Sequence, residues 1–212
     1  MKTNFLGDTH AKLMTDLRPS TIQLGDFHLY GYDLFYDKFG EKAPQPFPMP
    51  FWFIDGNHEN FLKVNPNQAD IEEIRKNLFY IPRGYVSGKV LFIGGADSID
   101  RMGRVEGYEW FPEERITYDQ ISKIMGMNKQ IEVVVTHTAP EVYVKKVFGD
   151  IGFRDSSAII LNNVLETFKP KLWVHGHFHK FRDTFFKDCR FISLGIEEYY
   201  NVDVPVDPKD FT

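Results

Sequence analysis

The sequence predicts an α/β fold, and three observations carry that reading. Seven short apolar runs, most of them rich in β-branched or aromatic residues, have the length of strands rather than helices. Other stretches place apolar residues on one helical face. Five of the apolar runs end directly in polar segments that hold histidine, aspartate or asparagine. In open α/β sheets, the carboxyl ends of the strands are where ligands bind.

The strands are expected at residues 3–6, 21–24, 51–54, 90–93, 131–135, 172–174 and 191–194. The first runs into Gly7-Asp8-Thr9-His10 and the second into Gly25-Asp26-Phe27-His28. The third runs into Asp55-Gly56-Asn57-His58-Glu59-Asn60. The fifth is followed by Thr136-His137-Thr138, and the sixth by His175-Gly176-His177-Phe178-His179. Asp155-Ser156-Ser157 can cap a helix that runs to residue 168, with Ile160, Val164, Leu165 and Phe168 on one face and Pro170 as its stop. A second helix is expected over residues 118–127, with Ile121 and Ile124 inward, and a weaker third over 71–78. Residues 42–50, with four prolines, read as an extended loop. No linker or internal repeat divides the chain, so one domain over residues 1–212 is expected.

Composition narrows the functional classes. With 42% hydrophobic and 16% aromatic residues, a chain of 212 residues can build a packed core, which excludes disorder as a global description. Twenty-five Lys+Arg against thirty Asp+Glu leave a net charge of −5. That makes the chain a poor candidate for gripping nucleic acid by bulk charge, while nucleic acid in a local basic groove, or a nucleotide, stays open. The single cysteine, Cys189, excludes an intrachain disulfide and a cysteine-based zinc site. No apolar run approaches the roughly 18 residues of a membrane span, and the first ten residues lack the apolar stretch of a secretory signal. The expectation is a cytoplasmic protein with no membrane partner.

All seven histidines lie in the strand-end segments: His10, His28, His58, His137, His175, His177 and His179. Taken singly, a histidine after a strand is usually a surface residue or a satisfied core residue. The joint pattern is harder to dismiss. Asp8-x-His10 and His177-x-His179 are i, i+2 pairs, and in an extended segment such pairs project to the same side. Imidazole and carboxylate suit zinc, iron and manganese. Asn57 adds a neutral amide oxygen, and Asp26 a second carboxylate able to bridge two ions.

The ordered series Asp8-x-His10, Gly25-Asp26, Gly56-Asn57-His58-Glu59, Thr136-His137 and Gly176-His177-x-His179 resembles the calcineurin-like metallophosphoesterases. It spans residues 7–179, and five pieces in order are far more specific than any one alone. The resemblance implies two packed mixed β-sheets flanked by helices, a four-layer sandwich. It implies one divalent ion held by Asp8, His10 and His179, a second held by Asn57, His137 and His177, and Asp26 between them. Manganese is the first expectation, with iron, zinc, nickel and magnesium as alternatives. His58 would face the leaving group as general acid. Two such ions about 3.5–4 Å apart bind phosphate oxygens and lower the pKa of a bridging water to near 7.

Other residues have weaker readings. Glu59 and Asp55 are expected to support ligand histidines, and His175 likewise. His28 is a further polar group that could approach the metals, although a solvent-facing or supporting role is the more ordinary reading. Arg101 or Arg104, within or just after Gly94-Gly95-Ala96-Asp97-Ser98-Ile99-Asp100-Arg101, could reach a substrate phosphate, although a surface role is the more ordinary reading. The aromatic stretch 27–39, with Tyr30, Tyr32, Phe35 and Tyr36, could wall the pocket or pack elsewhere. Residues 110–114 read as a packing and turn element. Residues 142–154 read equally as a lid hinged at Gly149 and Gly152 or as a surface connection. Only eighteen positions separate Asp8 from Asp26, and Pro19 leaves little room for a helix there. The Asp-Arg-Gly continuation of protein Ser/Thr phosphatases is missing after Gly25, which argues against that activity.

The expected function is hydrolysis of a phosphomonoester or phosphodiester. A nuclease or cyclic-nucleotide phosphodiesterase is the alternative. A non-catalytic interaction scaffold is disfavoured, because every ligand position is filled.

Overall fold

The computed structural model describes residues 2–12, 16–28, 47–150 and 152–211. Twelve strands are present among them. They are β1 (Lys2–Leu6), β2 (Thr21–Gln23), β3 (Phe51–Phe53), β4 (Glu72–Arg75), β5 (Leu78–Tyr80) and β6 (Val86–Ser87), then β7 (Val90–Ile93), β8 (Val133–Thr136), β9 (Leu172–His175), β10 (Arg182–Phe186), β11 (Cys189–Ser193) and β12 (Tyr199–Asp203). The helices are α1 (Tyr118–Met125), α2 (Glu141–Val147) and α3 (Ser156–Phe168).

The strands form two six-stranded mixed sheets, ordered β12-β1-β2-β3-β5-β4 and β10-β11-β9-β8-β7-β6. Each has four parallel strands in the middle and an antiparallel strand at either edge. The central strands need both faces covered, which explains their unbroken apolar character. Alternation decides which face each residue serves. Val90 and Phe92 of β7, Val133 and Val135 of β8, and Val174 of β9 meet Phe5, Ile22 and Trp52 of the first sheet in the layer between the sheets. Leu91, Val134, Trp173 and Phe191 turn the other way, against Ile121 and Ile124 of α1, Tyr143 of α2, and Ile160 and Val164 of α3. On the outer face of the first sheet, Phe27, Phe47 and Val64 cover Phe51, Phe53 and Tyr80. Burying each such side chain contributes about 1.5–3 kcal/mol, so these layers dominate the stability of the fold.

The helix ends follow local chemistry. Asp155 caps α3 by accepting from Ser157 N at 2.9 Å and Ala158 N at 3.1 Å. Thr117 and Gln120 form a reciprocal capping box at α1, which stops at Met125, two residues short of the expected end. The Phe111 side chain is buried and residues Pro112–Glu114 form a short 3₁₀ turn, as residues 110–114 suggested.

Several expectations need correction. Residues 71–78, read as a weak helix, form β4 and enter β5. Asn77 takes φ 66° in the turn between them, and its N–H donates to Glu73 Oε1 at 2.9 Å. Pairing of β5 with β3 overrides the helix propensity of Glu72-Glu73-Ile74-Arg75. The lid reading of residues 142–154 also fails at its start. That stretch opens within α2, whose Tyr143 is buried and stacked on Phe191 with ring centroids 3.9 Å apart. No helix occupies the described residues between β1 and β2, in line with the short crossover. Residues 29–46, which hold Tyr30, Tyr32, Phe35, Tyr36 and most of the proline-rich loop, lie outside the described residues. Among the described residues no helix is long and apolar enough to cross a membrane.

Candidate metal centre

The segments after β1, β2, β3, β8 and β9 meet at one edge of the two sheets. Asp8, His10, Asp26 and His179 bring one ligand atom each to within 4.8 Å of one another, and Asp26, His137 and His177 do the same. Asp26 belongs to both groups. Within the first, Nε2 of His10 and Nε2 of His179 are 3.0 Å apart, and Nε2 of His179 is 3.0 Å from Asp8 Oδ2. Within the second, His137 Nε2 lies 3.2 Å from His177 Nδ1 and 3.4 Å from Asp26 Oδ1. Asn57 Oδ1 joins it at 3.2 Å from His137 Nε2. All seven expected donors are therefore brought together.

The route to that convergence differs from the extended-segment argument. His10, Asp26, His177 and His179 have φ of 45°, 54°, 68° and 54°. Four ligand candidates thus occupy left-handed backbone, which non-glycine residues rarely adopt. Hydrogen bonds hold the turns there. Both oxygens of Asp8 accept from His177 N, at 3.1 and 3.2 Å. Asp26 Oδ1 accepts from His58 N at 2.9 Å, and the Asp26 carbonyl accepts from His10 N at 2.9 Å. Each carboxylate fixes a loop that carries another donor. Gly176 is required by close approach, because a Cβ there would collide with Asp8 Oδ1.

Electrostatics follow from burying two carboxylates among imidazoles. Burial opposes ionisation of Asp26, yet His137, His58 and His10 hold its carboxyl well below its ordinary value. Burial likewise opposes charge on His137, but Asp26 and Asp8 raise it to about 10. Burial, with charged His137 nearby, pushes His177 down to about 3. The hydrogen bond with Asp8 raises His179. His137 Nδ1 donates to the Leu24 carbonyl at 2.7 Å, which turns Nε2 toward the other donors.

The supporting residues are not where the sequence placed them. Asp55 touches no ligand histidine. It is fully buried against Arg83, with Arg83 Nε at 2.9 Å and Nη2 at 2.5 Å from Oδ2, and Tyr80 donates to Oδ1 at 2.8 Å. Glu59 accepts from Phe27 N at 2.7 Å and His28 N at 3.0 Å, so it braces the turn after Asp26 rather than an imidazole. His175 packs on Tyr143 and Phe178, and burial pushes it down to about 3. It belongs to an aromatic cluster, because β9 extends through it and turns its ring inward. His28 stands 6.0 Å from His58, ring to ring, outside both donor groups.

Arg104 corrects the surface reading. Its Nη1 is 3.0 Å from His58 Nδ1 and its Nη2 is 3.4 Å from Nε2, so the guanidinium lies over the imidazole. Asp100 Oδ2, 2.7 Å from Nη2, holds it there. Arg101 instead approaches Asp97 at 3.6 Å. Two residues were missed altogether. Asn57 Nδ2 donates to Ser98 Oγ at 3.0 Å, and Ser98 Oγ donates to Glu114 Oε2 at 2.7 Å. That chain aims the Asn57 carbonyl at His137. Ser98 was within reach, since it sits in the segment singled out for its arginines. Nothing in the local sequence marks Glu114 as the buried member of the Glu113-Glu114 pair.

A family model described as calcineurin-like phosphoesterase matches residues 1–181. The chain belongs to that family. Members of that family are described as phosphoesterases and use divalent metals. A lariat debranching enzyme of Entamoeba histolytica is 27% identical over 228 residues, an alignment covering 90% of this chain and 58% of that enzyme. The chain thus spans less than two thirds of that relative's length. Among solved structures, a phosphopantetheinyl hydrolase from Mycobacterium tuberculosis matches at 14% identity and a TM-score of 0.44, over 92% of this chain and 90% of that one. The inner membrane complex anchor GAP50 of Plasmodium matches at 14% identity and a TM-score of 0.41, over 92% and 71%.

The donor set of this calcineurin-like phosphoesterase fits divalent cations. Two carboxylates, four imidazoles and an amide oxygen crowd their acceptor atoms within 3.0–3.4 Å of neighbours. Facing lone pairs at such distances repel unless protons or cations lie between them.

Proposed function

We propose that the chain is a two-metal phosphoesterase hydrolysing a phosphomonoester or phosphodiester, with His58 as general acid. The observation that carries this is the sharing of Asp26 by two donor groups. Asp8, His10 and His179 would hold one cation, Asn57, His137 and His177 the other, and Asp26 both. Such cations, manganese foremost, supply Lewis-acid charge and make water nucleophilic near neutral pH. The protein's own part is orientation and proton delivery. Arg104 presents a planar fork to phosphate oxygens. His58 sits beside it, its backbone fixed by Asp26, and donates a proton to the departing oxygen. Burial, with Arg104 and His10 beside it, lowers His58 below its ordinary value despite the opposing pull of Asp26. A bound phosphate anion would offset Arg104 and favour the protonated imidazole.

The likeness to a lariat debranching enzyme favours a second reading, a nuclease or cyclic-nucleotide phosphodiesterase. The net charge of −5 weighs against long nucleic acids. The test is turnover of p-nitrophenyl phosphate and bis-p-nitrophenyl phosphate by metal-stripped protein with Mn²⁺ restored. Metal-dependent turnover should be lost in Asp26→Ala and fall about 10²-fold or more in His58→Ala. A protein that binds no metal, or a His58→Ala variant as fast as the parent, defeats the assignment.

A further inference from the structure

His58 is anchored at its backbone, but that contact does not aim its ring. His58 N donates to Asp26 Oδ1 at 2.9 Å, which leaves the imidazole free to turn about its side-chain bonds. Proton delivery needs one ring nitrogen pointed at the departing oxygen, and a misplacement of about 1 Å costs on the order of 10²-fold. Among the described residues, the only groups at hydrogen-bond distance from the ring nitrogens are Nη1 and Nη2 of Arg104, at 3.0 and 3.4 Å. The rings of His10 and His28 stand further off, 5.4 and 6.0 Å between centroids. A guanidinium only donates, and a neutral imidazole accepts at one nitrogen alone, so the two Arg104 contacts are not two hydrogen bonds. They lay the planar guanidinium against the ring, a stack that opposes its rotation.

Arg104 has a long side chain and needs a partner to keep that pose. Its Nη2 meets Asp100 Oδ2 at 2.7 Å. Asp100 is the N-cap of the 3₁₀ turn Arg101–Gly103. Gly103 N donates to the Asp100 carbonyl at 2.9 Å, and Arg104 N to that of Arg101 at 3.1 Å, so the turn brings residues 100 and 104 together. The chain on either side is pinned. Before the turn, Ser98 N donates to Glu114 Oε1 at 2.7 Å, and Asp97 Oδ1 accepts from Ser157 Oγ at 2.7 Å. After it, Glu109 Oε2 accepts from Val105 N at 3.0 Å. Asp100 thus presents its carboxylate from a fixed frame, beside the cleft of about 350 Å³ that also takes in Asp26, Asn57, His58 and Arg104. The Asp100 side chain is 58% exposed. An ion pair that open adds little to stability, so the fold does not depend on it.

We propose that Asp100 is a positioning residue for the proton donor: through Arg104, it holds the His58 ring toward the leaving oxygen. The proposal rests on the phosphoesterase reading with His58 as general acid. In the step it serves, the oxygen of water bonds to phosphorus and the bond from phosphorus to the leaving oxygen breaks. That oxygen takes a proton from His58, and the proton lost by the water makes good the one given.

The experiment follows kcat for p-nitrophenyl and phenyl esters of phosphate on Mn²⁺-loaded protein, as monoesters and as diesters, using the form the parent turns over. Parent, Asp100→Ala, Asp100→Asn and His58→Ala are compared. p-Nitrophenolate departs readily as an anion, whereas phenolate depends on the proton. A badly aimed donor therefore widens the gap between the two esters, which a general loss of structure or of phosphate binding would not do. The ratio of kcat for the p-nitrophenyl to the phenyl ester should rise about ten-fold in Asp100→Ala and at least as much in His58→Ala. It should stay near the parental value in Asp100→Asn, which keeps an acceptor oxygen for Arg104. Equal slowing of both esters in Asp100→Ala, or a higher KM with the ratio unmoved, overturns the proposal and leaves the phosphoesterase reading standing. A ratio unmoved in His58→Ala as well removes the general-acid role, and the proposal with it. Turnover of no ester by parent protein that retains its metal defeats the phosphoesterase reading itself.

Discussion

Arg83→Met isolates the anchor beneath the Asn57–His58 loop. The Arg83 and Asp55 side chains are both wholly buried and in contact. Methionine keeps the length of the stem but leaves Asp55 with Tyr80 as its remaining side-chain donor. Stranding one partner of a buried ion pair costs about 3–5 kcal/mol. Arg83 also donates to the carbonyls of Arg115 at 2.6 Å, Glu113 at 2.9 Å and Glu114 at 3.0 Å, which lose that donor. The expected total is therefore at or above about 4 kcal/mol. For a chain of this size that lowers Tm by roughly 8–16 °C. Urea unfolding followed by tryptophan fluorescence in EDTA separates this loss from any change in metal affinity. The double variant Asp55→Leu/Arg83→Met should recover part of the loss, since no charge is stranded. A single variant within about 1 kcal/mol of the parent refutes the anchor argument, as does a double variant worse than the sum of the singles.

Two further outcomes follow from the polar networks. Ser98→Ala removes the acceptor that orients Asn57, so Mn²⁺ affinity should fall about 10–100-fold with Tm little changed, measured by metal titration of stripped protein. Asp155→Asn should flatten the pH dependence of stability. Burial and the neighbouring Asp97 raise Asp155 to about 7 from 3.8. Below pH 3.8 both the folded and unfolded chains hold this proton. Between 3.8 and about 7 only the unfolded chain releases it, so the parent loses stability as pH rises through that window. Asparagine does not ionise and still caps α3, so melts at pH 4.5, 6 and 7.5 should show a smaller decline; an unchanged decline assigns it to other groups.

What the sequence made legible was decided by how local the cause was. Seven of the eight central strands announced themselves because both faces are buried, as in Val90–Ile93, which is apolar throughout; β5 did not, because its three residues follow the charged run at 72–76 that reads as helix. The edge strands did not. β4 reads Glu-Glu-Ile-Arg and β10 reads Arg-Asp-Thr-Phe-Phe, with exposed residues that imitate surface helix or loop. α2 was hidden by its seven-residue length and the proline at its N-cap. In the site, the identity and order of the donors were legible because each follows a strand. Their left-handed backbone was not, since histidine and aspartate carry no signal for it. Arg104 over His58 was invisible for another reason: the contact spans 46 residues and depends on how the segment after β7 folds back.

The pairing of the first strand has a consequence for the order of assembly. During synthesis all seven donors are made once His179 is added. The frame that holds them is not. β11 lies inside the second sheet, beside the strand that leads to His177 and His179, and β12 closes the first sheet by pairing Lys2 with Asp203. Both come later in the chain, so β1 has β2 beside it early but gains its antiparallel neighbour β12 only about two hundred residues later. A nascent chain with a full complement of metal-capable side chains thus emerges before it has the architecture to arrange them. A cation captured at that stage would meet donors that β11 and β12 do not yet frame.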